Sequence, residues 1–178
     1  DLKEINKRQS TGMSAWTGEG ENSGTGETAG LSMNDLKIWK PIIAAIDGYC
    51  VAGGLELSLM CDIRVASDQS TFGLQEPRWN SLARYGLHNL SRMIPLGEAL
   101  YMQLTGSRIS AQEAHRIGLI HSVHPDREST MAAAVQIAEE IKLCGPLAVQ
   151  AIKRIVMTAR NLPVEYSTKF TEDIERQL

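Results

Sequence analysis

The chain reads as an α/β protein, strand-rich in its first half and helical in its second, and three features carry that reading. Short β-rich apolar runs bounded by turn residues come early, at KPIIAAI and DIRVAS. A glycine pair opens an apolar run, GGLELSLM, between them. Toward the carboxyl end, helix start and stop signals recur with helical periodicity and no internal repeat.

Each element follows from local chemistry. Residues 10–30 are dominated by Gly, Ser and Thr and read as a loop. Within them Gly24, Gly26 and Ala29 spell GxGxxA, but no apolar strand leads in and no helix follows, so the dinucleotide-cradle reading fails. From Lys40, KPIIAAI forms a buried strand that Asp47-Gly48 turns. Gly53-Gly54 then opens a helix entering the core; DIRVAS alternates like a strand, SDQS turns, and TFG begins another extended piece. Pro95-Leu96-Gly97 precedes a helical run, EALYMQLTG, closed by Gly106 as C-cap. Ser110 and Glu113 fit a capping box, with Gly118 as the left-handed stop. Residues 130–143 and 146–160 are expected to be amphipathic helices parted by Gly145-Pro146.

Composition excludes several function classes. At 178 residues, with 43% hydrophobic and 22% charged residues, the chain is a globular protein of single-domain size. A net charge of −3 without any Lys/Arg run gives no footprint for nucleic acid. The apolar stretch Ile42–Ile46 is too short to cross a bilayer, and the opening DLKEINKRQS has no signal-peptide core, so a cytoplasmic or organelle-matrix location is expected. Cys50, Cys61 and Cys144 lack metal-binding or disulfide spacing and read as reduced thiols. His121 and His124 stand three apart without an acidic third ligand, and no metal is expected; His88 and His115 have no evident partner.

One residue resists the apolar pattern. Glu56 sits among Leu55, Leu57, Leu59 and Met60, where an ionised carboxylate is costly unless paired, hydrogen-bonded or functional. Either it is a first-turn acid favoured by the helix dipole, worth a few tenths to about 1 kcal/mol, or it is chemical. If Gly53 begins the helix, Glu56 falls on the same face one turn on, so a free helix-end amide and a carboxylate face one spot. That pairing suits stabilising an oxyanion while a proton moves nearby. A second acid, Glu76, follows in TFGLQEPRW; alone it reads as a solvated turn residue.

Together, KPIIAAIDGYCVAGGLELSLMCDIRVASDQSTFGLQEP resembles the signature region of the enoyl-CoA hydratase/isomerase (crotonase) family. The family's KP-x-IAA, GY-x-x-GG-x-EL, CD-x-R-x-A and FG-x-x-E pieces occur in order and at matching spacing. LTGSRISAQEAHRIGLIHSV is similar to its downstream LTG segment, so the likeness is strong from Lys40 to Val123 and weaker beyond. The resemblance implies a crotonase-like spiral of ββα units with C-terminal helices that trimerise. Residues 1–145 would form the core and 146–178 the start of the trimerising region. It implies an acyl-CoA substrate, no metal or redox cofactor (coenzyme A being part of the substrate), and a homotrimer or hexamer. By the same resemblance Gly53 N–H is half of the oxyanion hole, and Glu56 and Glu76 are the two acids of the hydratases. The expected reaction is hydration of a 2,3-unsaturated acyl-CoA, with Glu56 activating water and Glu76 protonating. An enoyl-CoA isomerase and a non-catalytic crotonase-fold scaffold are the alternatives.

The chain departs from the pattern in three places. DLKE resembles the end of the family's G-A-D-L-K-E loop, of which Asp1 alone is the expected substrate contact, and the sequence is expected to be truncated at both ends. After Glu76 the PGAGG-rich segment is replaced by NSLARYGLHNL, which keeps only Gly86. That segment makes Trp79 and Tyr85 candidate walls of the acyl pocket, with core packing as the competing role. The apolar residues Leu147, Val149, Ile152, Ile155 and Val156 are expected to pack on the core or another subunit.

Overall fold

Two corners organise the chain. In the first, Ile43–Ile46 (β1) and Tyr49–Val51 (β2) are separated only by Asp47-Gly48, and Gly48 takes a φ of 90°, which a side chain would strain. In the second, Ile63–Ser67 (β3) and Thr71–Gly73 (β4) are separated by the turn at Asp68–Ser70. At each corner the chain passes from one sheet into another. Between them runs the helix Gly53–Met60 (α1), so the order is strand, strand, helix, then strand and strand again. The corners are tied together: Ser70 Oγ accepts from Gly48 N–H at 3.1 Å, and Asp47 Oδ1 accepts from Ser67 Oγ and Gln69 Nε2, each at 2.7 Å.

The protein is seen in a computed structural model that describes residues 38–176. Asp1 and the Gly/Ser/Thr-rich run at 10–30 lie outside the described residues. The remaining elements are a 3₁₀ turn at Glu76–Trp79, then Arg84–Asn89 (α2), a 3₁₀ turn at Leu90–Arg92 and Leu96–Thr105 (α3). They are followed by Ile109–Ser110 (β5), Ala111–Arg116 (α4), Ser122–His124 (β6), Arg127–Lys142 (α5), Pro146–Ala159 (α6) and Val164–Glu175 (α7). One sheet has the order β1-β3-β6, all parallel, in register Ala45–Val65 and Val65–Ser122. The other has the order β2-β4-β5, with β2 and β4 parallel and β5 antiparallel. This mixed α/β architecture is the expected one.

The core lies where α1, α3 and α4 meet the sheets: Leu55, Leu59, Phe72, Leu74, Leu90, Met102 and Leu119 are all fully buried. These side chains come from the apolar runs of the sequence, and their burial drives the fold. Tyr85 packs on this cluster from one side.

Several local expectations are refined. α3 begins at Leu96, two residues earlier than the interruption at Pro95 suggested, because Pro95 serves as its N-cap. Gly106, at φ 61°, and Gly118, at φ 80°, are left-handed as expected. The capping box at Ser110 is half formed. Ser110 Oγ accepts from Glu113 N–H at 3.2 Å, but the Glu113 carboxylate turns to Arg116, whose guanidinium offers a stronger charged partner. A complete box instead starts α5 at Asp126, where Ser129 is the reciprocal member.

A partly buried ion pair anchors α6. Lys153 Nζ lies 2.7 Å from Asp62 Oδ2 and donates also to the Lys40 carbonyl at 2.9 Å, while the same Asp62 oxygen accepts from Ile42 N–H at 2.7 Å. Lys153 and Ala151 are buried, whereas Leu147, Ile152 and Val156 of the same helix stay exposed in this chain. Val149 and Ile155 are partly covered. α7 packs against α6, with Arg154 over the Phe170 ring.

Candidate active site

Gly53 does begin α1. The residue before it, Ala52, holds φ 50° and ψ −129°, a backbone state that a side chain adopts only at a cost. Two hydrogen bonds keep it there: Ala52 N–H donates to Gly73 O at 2.9 Å, and Ala52 O accepts from Glu56 N–H at 3.0 Å. The first ties the helix start to the end of β4, three residues before Glu76. No side chain caps the helix, and Gly53 N–H has no hydrogen-bond partner among the described residues. A first-turn amide without an intrahelical acceptor is available to a ligand.

Glu56 lies one turn on and is 9% exposed. Its flanking residues divide: Leu55 and Leu59 enter the core while Leu57 points out. Glu56 does stand in the first turn of α1, and the helix turns its side chain inward rather than into solvent. Its Oε1 accepts from Gly86 N–H at 2.8 Å. The donor belongs to the first turn of α2, where amides lack intrahelical acceptors, so each group answers the other.

Glu76 is carried out of β4 by Leu74 and Gln75 and opens the 3₁₀ turn, with Pro77 behind it. Asn80 closes the turn in the left-handed region at φ 53°, a conformation asparagine tolerates. Arg78 lies against Gly106, where an added Cβ would sit 3.0 Å from its Cγ, so the end of α3 supports the turn. Glu76 is partly buried rather than solvated, and its Oε2 has no hydrogen-bond partner among the described residues. Burial pushes its carboxyl above the usual glutamate range, and the Glu56 charge pushes it the same way. The two acids are therefore within electrostatic reach of each other.

The outlying candidates divide. Trp79 ends the turn that Glu76 begins and is 76% exposed, so it is not a core residue of this chain. Tyr85, beside Gly86, packs against the core cluster. His124 Nε2 stands 2.8 Å from Ser122 Oγ, and His115 Nδ1 stands 3.4 Å from Ile120 O. No group of three metal-ligating side chains occurs among the described residues. Cys50 is buried, and desolvation raises its thiol above the ordinary value, the state of an inert core thiol. Sequence reasoning missed the amide that holds Glu56. Its one signal was a lone glycine, Gly86, retained within an otherwise side-chain-rich segment.

Residues 17–176 match the sequence model of the Enoyl-CoA hydratase/isomerase family, and the chain belongs to that family. It is 44% identical over 138 residues to the (E)-benzylidenesuccinyl-CoA hydratase of Thauera aromatica, covering 76% of this chain and 53% of that protein. It is 38% identical over 139 residues to Enoyl-CoA hydratase EchA19 of Mycobacterium tuberculosis, covering 78% and 52%. The crystal structure of an enoyl-CoA hydratase from Bacillus anthracis superposes with a TM-score of 0.76 at 33% identity, over 81% of this chain and 56% of that one. The chain thus spans about half the length of the curated relatives it matches.

Proposed function

We propose that the protein hydrates a 2,3-unsaturated acyl-CoA thioester to the 3-hydroxyacyl-CoA. The observation that carries this reading is the unequal pair of acids: Glu56 held by a backbone donor, and Glu76 partly buried, short of a partner and raised in pKa. Conjugate addition of water needs a base at the water, an acid at C2 and stabilisation of negative charge on the thioester oxygen. Glu56 takes a proton from water as the oxygen adds to C3. Glu76, whose protonated form burial favours, gives a proton to C2. Gly53 N–H donates to the thioester oxygen while it carries enolate charge. One proton is gained and one lost by the pair, so a proton returns from Glu56 to Glu76 to complete the cycle.

Two matched relatives bear hydratase names, which favours hydration over the isomerase branch of the family. In this reading coenzyme A arrives as part of the substrate, and no metal or redox group takes part. Residues 1–145 act as the catalytic core, with Asp1 a substrate contact, Trp79 and Tyr85 bordering the acyl group, and 146–178 beginning a helical region that assembles a trimer or hexamer. The apolar residues that α6 leaves uncovered support the last point. No helix among the described residues is long and apolar enough to cross a membrane, consistent with work in the cytoplasm or an organelle matrix.

The test is incubation of the natural full-length protein with a short 2-enoyl-CoA, following the conjugated absorbance. Its loss, with 3-hydroxyacyl-CoA as product, is the expected result. Appearance of a shifted double bond without hydration would favour the isomerase, and no turnover would favour the scaffold.

A further inference from the structure

Gly86 stands at the closest approach in the site. A Cβ placed on it would fall 2.6 Å from Leu74 Cδ1, 3.1 Å from Leu74 Cδ2 and 3.3 Å from Ala83 Cβ. Leu74 is 1% exposed, so its methyl groups cannot swing into solvent to make room. Only a residue without a side chain lets α2 settle this deeply. The same depth brings its third residue's N–H to 2.8 Å from Glu56 Oε1. That amide is the only hydrogen-bond partner of the Glu56 carboxylate among the described residues, in a side chain that is 9% exposed. The backbone φ of Gly86 is not positive, so conformational freedom is not the reason for the glycine. Space is.

We propose that Gly86 is a positioning residue for the reaction: its backbone N–H fixes the carboxylate of Glu56 in the orientation from which it accepts a proton from water, and its missing side chain is what permits the contact. The inference rests on the two-glutamate reading above. One Glu56 oxygen is held by the amide, which leaves the other to face the water. A carboxylate that had to find this orientation from a freely turning side chain would do so in only a fraction of encounters.

The experiment compares Gly86→Ala, Leu74→Ala and the double variant in the natural full-length protein, with Glu56→Gln alongside. Gly86→Ala forces α2 away from α1, and kcat is expected to fall about 10- to 100-fold, the size of one hydrogen bond to a charged group. KM should change little. Removing the Leu74 branch reopens the space for the new Cβ, so the double variant should recover most of kcat. A folded Gly86→Ala protein with normal kcat overturns the proposal, as does a double variant that regains thermal stability without regaining kcat. If Gly86→Ala does not fold, the Gly86 amide proton shift decides: it should move upfield in Glu56→Ala, and an unchanged shift overturns the proposal. Failure of the parent reading looks different, since Glu56→Gln would then turn over normally.

Discussion

The chain draws carboxylates fully or partly out of solvent in two corners and treats them in opposite ways. Asp62 meets the ammonium of Lys153 and the amide of Ile42, and the Lys40 carbonyl takes a further ammonium proton. That corner joins α6 to the entrance of β1 and β3, and every charge in it is answered. Around α1 and β4, Glu56 has one donor, Glu76 Oε2 has none, and Gly53 N–H is unoccupied, each among the described residues. Unsatisfied polar groups and non-glycine residues at positive φ cost stability, and several of them lie on α1 and the segment after β4, although Thr71 Oγ1 at the start of β4 is also without a partner among the described residues. Asp62 is satisfied within the fold, whereas the acids near α1 and β4 keep unfilled hydrogen-bonding capacity, as the proposed role in catalysis requires.

The comparison breaks first if the acids are exchanged for amides. Glu56→Gln and Glu76→Gln should each lower hydration about 10²- to 10⁴-fold, the span of a general acid or base, with thermal unfolding showing the fold intact. Normal turnover in either variant would remove that acid from the chemistry. In the other corner Lys153→Met should leave kcat per folded molecule unchanged and lower unfolding free energy by about 1–3 kcal/mol, below the cost of breaking a fully buried pair because the Asp62 side chain is 21% exposed. Denaturant titration measures it. Replacing Asp62 by Asn as well should recover part of the loss, and a milder cost than this for the single change would mean that water reaches the pair.

Stability against pH sharpens the contrast. Glu76 has its native pKa raised above the unfolded value, so between the two the native state binds more protons than the unfolded state. Unfolding free energy therefore falls as pH rises through that window and levels off above it. Glu76→Gln should abolish this fall, making the variant more stable than wild type above the window and no better below it. A parallel pH dependence in both proteins would show that the side chain is effectively solvated. The smallest expected effect is at Ala52. Glycine accepts φ 50° freely, so Ala52→Gly should raise stability by no more than about 1 kcal/mol, strain relief being offset by unfolded-state entropy. A lower denaturation midpoint would mean that the alanine methyl contributes more packing than strain. The strain at Ala52 also argues against Gly53→Pro as a test of the oxyanion amide, since a residue before proline is confined to extended negative-φ backbone.

Much of this was legible in the sequence, for reasons that differ by residue. Turn chemistry marked Gly48, Gly106 and Gly118, because those glycines answer a backbone need that no other residue meets as well. The helix at Gly53 and the strands at Ile43 and Ile63 followed from apolar runs between turns. β2 and β6 were not foreseen, because three-residue strands hold through pairing with distant partners and carry almost no local pattern. The helix Val164–Glu175 was expected only through the family resemblance, although its sequence is amphipathic and Pro163 marks its start. In the site, Glu56 and Glu76 stood out as residue types in the wrong surroundings. The bond from Gly86 could not, because a backbone amide has no letter in the sequence and its reach depends on Leu74 across the fold.

If burial and the Glu56 charge prepare Glu76 to donate a proton, its carboxyl must titrate above the ordinary glutamate range. A carbon-13 NMR titration of the Glu76 side-chain carboxyl tests it most directly, in wild type and in Glu56→Gln. The expected midpoint lies above the usual glutamate range, shifted partway back when the Glu56 charge is removed but still raised by burial. A Glu76 carboxyl that titrates in the ordinary range, unmoved by Glu56→Gln, would contradict it.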